Sequence, residues 1–73
     1  MKVFSKRLKE LRKEKKLTQK EIAEQIGIKR NTYSDWETGK NEPNFENLIK
    51  LADFFEVSLD WLFGRKVELG EEE

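Results

Sequence analysis

Residues 17–40 read LTQKEIAEQIGIKRNTYSDWETGK and contain the start and end signals of two short helices. Thr18 and Glu21 have the spacing of a capping box, in which the Thr18 hydroxyl accepts from the Glu21 amide and the Glu21 carboxylate accepts from the Thr18 amide. Gly27 can end that helix because glycine adopts the left-handed conformation without a Cβ penalty. A second helix is predicted over 30–38, so the sequence indicates two helices joined by a tight turn.

The second of these helices, which Gly39 ends, has two chemically different sides. Tyr33, Trp36 and Glu37 fall on one side at helical spacing. The other side is polar and contains Asn31, Ser34, Asp35 and Thr38. One side is therefore expected to pack and the other to face a partner, which is the pattern of a helix-turn-helix.

Three further helices are predicted around this pair. Ser5 is expected to cap a first helix over about 5–15, Asn44 a fourth that runs to about Phe55, and Ser58 a fifth from Leu59 to Phe63. The first helix has the apolar stripe Phe4, Leu8 and Leu11, and the fourth has Leu48, Leu51, Ala52 and Phe55. The chain is thus predicted to be all-α, with one domain over 1–64 and a polar, acidic tail over 65–73.

Composition limits the possible functions. The 73 residues contain no Cys and no His, so thiol nucleophiles, thiolate metal sites and the commonest general base are missing. No enzyme activity, cofactor, metal or small-molecule ligand is expected. No apolar run approaches the length of about 20 residues that a membrane span requires. We therefore expect a cytoplasmic protein with no membrane partner.

The net charge of zero conceals an uneven distribution. Residues 1–20 contain nine basic and two acidic residues, a net charge of +7, whereas residues 41–64 carry −4 and residues 65–73 carry −2. The distribution of charge, more than its total, decides whether a protein binds polyanions. The basic segment can be a simple solvated helix face, or it can attract nucleic acid.

The two-helix segment over 17–40 and the helices predicted around it resemble the Cro and phage-repressor type, XRE-like helix-turn-helix family, over about residues 4–63. The resemblance implies a prokaryotic or phage transcriptional regulator: a compact five-helix domain that places its third helix in the DNA major groove, usually as a dimer. It is carried by Leu17, Thr18, Gln19, Glu21, Ala23, Gly27, Trp36, Glu37, Gly39, Pro43 and Val57 to Asp60.

Residues at the start and outer side of that third helix are the candidates for reading bases. Arg30 can bond guanine O6 and N7, Asn31 can bond adenine N6 and N7, and Thr32 can touch a thymine methyl group. Asp35 can accept from cytosine N4, or it can instead accept a hydrogen bond from Asn31 one turn earlier.

Other candidates are expected to contact phosphates or to hold the fold. Gln19 lies at a helix start that favours a phosphate oxygen, and the resemblance places Lys40 and Asn44 near the DNA backbone. We also expect Lys29 to contact DNA, although it replaces the Ser or Thr that usually caps the recognition helix in this family. The resemblance also implies a partly buried ion pair of Arg12 with Glu37.

Two functions of different classes follow. The first is a sequence-specific regulator, expected to be a repressor, that binds double-stranded DNA at a palindromic operator as a homodimer. Exposed members of Val57, Leu59, Trp61 and Phe63 are the candidates for its two-fold interface. The second is an antitoxin-like or anti-repressor interaction module, whose acidic half from residue 41 onward, with net charge −6, binds a basic protein.

Overall fold

The computed structural model describes residues 2–64, and these contain five α-helices and no strand. The predicted all-α, five-helix class is therefore confirmed. The predicted acidic tail over 65–73 lies outside the described residues. The helices are α1 (Lys2–Glu14), α2 (Gln19–Ile26), α3 (Arg30–Thr38), α4 (Phe45–Phe55) and α5 (Leu59–Leu62).

The prediction for the start of α1 is wrong. The helix begins at Lys2, so Ser5 lies inside it and does not cap it. The Ser5 side chain is buried, and its hydroxyl donates to the main-chain oxygen of Trp36 in α3 at 2.6 Å. Ser5 has this role because it lies on the side of α1 that packs against α3, where its hydroxyl meets an acceptor from another helix.

The signals around α2 and α3 are confirmed. Both hydrogen bonds of the Thr18 capping box are present, and α2 ends at Gly27, whose φ is +78°. Helix α3 has the predicted bounds and ends at Gly39, whose φ is +83°. Lys29 occupies the N-cap position of α3 without a side-chain cap. The turn between the two helices is therefore set by the conformation of Gly27.

The caps of α4 and α5 also follow the sequence. The Asn44 side chain accepts from the Asn47 amide at 2.9 Å, and the Ser58 hydroxyl accepts from the Trp61 amide at 3.0 Å. Helix α5 ends at Leu62, one residue before the predicted end. Both helices therefore begin with an acceptor for a free backbone N–H group.

A single core holds the helices together. Helix α3 packs against α1 and α2, α4 packs against α2, and α5 packs against α1 and α4. Within the described chain, no helix combines the length and apolarity needed to span a bilayer. The buried apolar residues are Phe4, Leu8, Leu11, Ile22, Ala23, Ile26, Tyr33, Trp36, Leu51, Ala52, Phe55 and Leu62.

Candidate nucleic-acid interface

A nearly buried carboxylate, that of Glu37, ties three helices together at the last turn of α3. Its side chain is only 3% exposed. Arg12 of α1 donates to it twice, from Nε to Oε2 at 2.7 Å and from Nη2 to Oε1 at 3.1 Å. Gln19 Nε2 of α2 donates to Oε1 at 3.0 Å, and the Tyr33 hydroxyl donates to Oε2 at 2.6 Å. The two Glu37 oxygens thus accept four hydrogen bonds.

The charges of this cluster stabilise one another. Burial alone would raise the pKa of Glu37, but hydrogen bonds from Arg12, Tyr33 and Gln19 outweigh it and hold that pKa below its usual value. The hydrogen bond to Glu37 raises the pKa of Arg12. Burial first, and then the hydrogen bond to Glu37, raises the pKa of Tyr33. Glu37 is therefore held as a carboxylate and Tyr33 as a neutral hydroxyl.

The end of α3 has two further restraints. The Ser5 hydroxyl donates to the Trp36 oxygen, one of the terminal carbonyls that has no partner within its own helix. The Gly39 and Lys40 amides both donate to the Asp35 main-chain oxygen, at 3.0 Å for Lys40. The Ser5 bond and the Glu37 contacts fix the position of α3 on α1 and α2, whereas the Gly39 and Lys40 bonds close the end of the helix.

The first turn of α3 is exposed and lacks the side-chain restraints found at the last turn. Arg30, Asn31 and Thr32 are all exposed. No hydrogen bond or ion pair of their side chains occurs within the described part of the chain. The N-cap residue Lys29 supplies no side-chain acceptor, so free backbone N–H groups remain at this helix start. This turn presents donors and acceptors to solvent from a helix whose other end is fixed.

The Asp35 side chain bonds to Asn41 and not to Asn31, which was one of its two predicted partners. Its Oδ2 accepts from Asn41 Nδ2 at 2.9 Å, so the alternative in which it accepts from Asn31 is wrong. The chain turns back after Gly39, which brings Asn41 beside the carboxylate. The bond fixes the loop that follows α3 to the polar side of that helix and leaves Asn31 without this restraint.

The expected phosphate contacts lie on three separate elements. Gln19 is the first residue of α2, and its amide is already bonded to Glu37 through one N–H. Lys40 is exposed in the loop after α3. Asn44 uses its oxygen to cap α4, which leaves its Nδ2 group as a donor. Gln19 contacts the last turn of α3 through Glu37, and Lys40 and Asn44 follow that turn in the sequence. Lys29 and Arg30 lie at the start of the helix.

Several residues of this region were missed from sequence. Ser5 is predicted as the cap of α1 but lies inside that helix and bonds to α3, and no sequence pattern indicates the role of Asn41. The spacing of Tyr33 and Glu37, four residues apart on one helix, is a signal that could have predicted their contact. The bond of Gln19 to Glu37 joins residues 18 apart in sequence, and no local pattern indicates it.

Neither a metal-ligand cluster nor a pocket competes with this surface as a candidate site in the described residues. Across residues 2–64, no group of three or more His, Cys, Asp or Glu side chains is arranged to hold a metal ion. An open groove between the end of α2 and α4 is lined by Gly27, Asp53 and Phe54, among others. This groove includes none of the candidate base-reading residues.

Comparison with known proteins identifies the class. The helix-turn-helix family matches residues 8–62, so this chain belongs to that DNA-binding family of transcription regulators. It is 45% identical over 60 residues to the uncharacterized HTH-type transcriptional regulator YqaE of Bacillus subtilis, covering 82% of this chain and 52% of that protein.

Two further relatives carry more specific names. The transcriptional repressor RstR of the cryptic phage CTXphi in Vibrio cholerae is 44% identical over 81% of this chain and 53% of its own length. The transcriptional activator BcrR of Enterococcus faecalis is 44% identical over 81% of this chain and 29% of its own length. The chain spans about half the length of YqaE and RstR, and less of BcrR.

Proposed function

We propose that this protein is a sequence-specific double-stranded DNA-binding transcriptional regulator that inserts α3 into the major groove. The observation that carries the proposal is the contrast within α3. Its last turn is fixed by Ser5, Arg12 and Gln19, whereas its first turn exposes side chains able to bond base edges. The major groove is about 12 Å wide and admits one α-helix.

Each exposed residue of the first turn has a proposed role. Arg30 reads guanine and Asn31 reads adenine, because their hydrogen-bonding groups match those base edges, and the Thr32 methyl group makes an apolar contact with a thymine methyl group. Asp35, held by Asn41, accepts from cytosine with its remaining lone pairs. Lys29 adds a cation and free main-chain N–H groups at the helix start.

Phosphate contacts then set the register of α3 in the groove. We assign these to Gln19, Lys40 and Asn44, which carry free donors near the last turn of α3 or in the loop after it. Because such contacts do not distinguish bases, they position the recognition helix without specifying the sequence.

A homodimer on a palindromic operator is the proposed assembly, with half-sites about 34 to 36 Å apart. Of the four residues expected at the two-fold interface, Val57, Leu59 and Phe63 pack partly against the core. Trp61 is 40% exposed, and we propose it as the apolar contact between subunits. Sedimentation of the free protein at high concentration tests this assembly, and a monomer at every concentration would refute dimerisation in the absence of DNA.

Repression is the proposed outcome of binding. A protein seated on an operator that overlaps a promoter excludes the polymerase, and the relative RstR is named a repressor. A reporter placed behind the selected operator tests this: expression should fall when the protein is present. A rise in expression would instead indicate activation, the property for which BcrR is named.

Selection from randomised duplexes at moderate salt is the experiment that tests the function most broadly. We expect enrichment of one half-site, repeated as an inverted pair. The log–log dependence of the binding constant on salt should be steep, with a slope of about −0.9 for each phosphate contact. Absence of binding to every duplex would favour the alternative function, in which the acidic half binds a basic protein.

A further inference from the structure

The exposed side of α1 contains a line of four lysines, Lys2, Lys6, Lys9 and Lys13, which we call the lysine stripe. All four residues are exposed. At about 100° per residue, they fall within an arc of about 60° on the helix. With a rise of about 1.5 Å per residue, the stripe is about 16 Å long. None of the four belongs to the DNA-binding residues proposed above.

Contacts of α1 show which neighbour the stripe lies beside. Ser5 and Arg12 both bond to α3, so they mark the flank of α1 that faces the recognition helix. Arg7 bonds to the Trp61 oxygen of α5, and Phe4 stacks on Phe63, so these residues mark the flank that faces α5. Lys9 is the member of the stripe nearest to the α3 flank, and it lies about 50° from that flank around the helix axis.

Acidic residues occupy the other half of the exposed side. Glu10 and Glu14 are also exposed, but at about 100° per residue they fall between the lysine stripe and Arg7, next to the α5 flank. On the exposed side of α1 the four lysines therefore lie toward the recognition helix and the two glutamates lie toward α5, where Arg7 is bonded to the Trp61 oxygen. A helix face that served only solubility would not require this separation.

Along the axis of α1, part of the lysine stripe also lies at the same height as the last turn of the recognition helix. The bonds of Ser5 to Trp36 and of Arg12 to Glu37 place the last turn of α3 alongside residues 5 to 12 of α1. Lys9 therefore lies at the height of that turn, and Lys13 lies beside Arg12. Gln19, a proposed phosphate ligand, is bonded to the same Glu37.

We infer that the lysine stripe is an additional phosphate-binding surface for the same duplex whose major groove receives α3. The inference rests on the proposed function. Along one strand, DNA carries a charge about every 3.4 Å of helix axis, so a stripe of about 16 Å runs beside roughly five phosphates. Lysine acts there as a point charge that attracts phosphate without selecting a base.

Two double variants test this inference. Lys9→Gln with Lys13→Gln removes two charges from the stripe, and glutamine preserves helix propensity. Lys15→Gln with Lys50→Gln is the matched control, because it removes the same charge elsewhere: Lys15 lies over the Phe54 ring, and Phe54 and Lys50 line the groove near α4. Circular dichroism and thermal unfolding verify that both variants are folded.

The readout is the salt dependence of binding to the operator selected with the unaltered protein. For the stripe variant we expect the magnitude of the log–log slope to fall by about 1.8, with an affinity loss of roughly 60-fold at about 0.1 M salt. For the control we expect a slope within about 0.5 of the unaltered protein. Ethylation interference should lose phosphate positions only with the stripe variant.

The possible failures are distinguishable. If the unaltered protein binds the operator and the stripe and control variants change the slope equally, the stripe makes no contact and the inference is refuted, while the proposed function stands. An unchanged slope for the stripe variant refutes it in the same way. If the unaltered protein binds no duplex, the proposed function and this inference both fail.

Discussion

The two ends of α3 differ in almost every physical property although they lie only two turns apart. At the last turn, Glu37 is 3% exposed and accepts four hydrogen bonds from three helices. At the first turn, Arg30 and Asn31 are exposed, and the N-cap residue supplies no side-chain bond. The difference shows how a small domain holds a helix rigidly while leaving its other end available to a ligand.

The largest expected effect comes from breaking the fixed end. Arg12→Ala removes two of the four bonds to Glu37 and leaves its buried carboxylate without a cation, which should cost about 3 kcal/mol of unfolding free energy. Asn31→Ala, at the exposed end, should change it by less than about 0.5 kcal/mol. Urea denaturation measures both. Equal losses for the two variants would remove the distinction between the ends.

Acid should weaken the fixed end selectively. Because the pKa of Glu37 in the folded state lies below its usual value, its ionisation stabilises the fold fully above the unfolded-state pKa. That stabilisation is lost as the pH falls through the folded-state pKa. The difference in unfolding free energy between the natural protein and Glu37→Gln should therefore shrink from about pH 7 to about pH 3. A difference independent of pH would contradict this assignment.

The exposed end should carry specificity for bases. Arg30→Ala should weaken binding to the selected operator by about 1 to 3 kcal/mol and relax preference at one base pair. Lys40→Ala, which removes a phosphate contact, should weaken operator and random DNA alike. Fluorescence anisotropy with both duplexes measures these effects. Equal losses on the two duplexes for Arg30→Ala would exclude Arg30 from base reading.

Ser5 should contribute a smaller restraint at the fixed end. Ser5→Ala removes the donor to the Trp36 oxygen and should cost about 1 kcal/mol of unfolding free energy. Ser34→Ala, a Ser→Ala change on the polar side of α3, serves as the control and should cost less. Thermal unfolding compares them. If Ser5→Ala is the more stable of the two, the hydroxyl does not act as a cap for α3.

The smallest predicted effect strengthens the exposed end. Lys29→Ser supplies the missing side-chain acceptor at the start of α3 and should raise the unfolding free energy by about 0.5 to 1 kcal/mol. The same change removes a cation from the proposed interface, so affinity for random DNA should fall. Chemical denaturation and anisotropy measure the two effects. A loss of stability would show that the first turn gains nothing from a cap.

Local signals predicted most of the fold, while contacts between helices were harder to predict. The Thr18 box, Gly27 and Gly39 act within a few residues, so the bounds of α2 and α3 follow from the sequence. Ser5 satisfies the chemistry of a cap, but its position on the α3 flank of α1 gives it a buried acceptor elsewhere. The partner of Asp35 depends on the path of the loop after Gly39, which composition does not specify.

The candidate interface divides in the same way. The types and helical positions of Arg30, Asn31 and Thr32 were readable because exposure on one helix face follows from periodicity. The bonds that fix Glu37 join α1, α2 and α3, and only their packing shows that Gln19 shares this acceptor with Arg12. The arrangement of charge around α1 likewise required knowing which flank meets α3.

Titration of the isotopically labelled protein with the selected duplex, followed by amide NMR shifts, shows which surface of the domain binds DNA. We expect the largest shifts at residues 29–32 and at Lys40, with small shifts around Gly27 and Phe54 in the groove near α4. Large shifts confined to that groove, with residues 29–32 unchanged, would contradict the claim that the exposed end of α3 enters DNA.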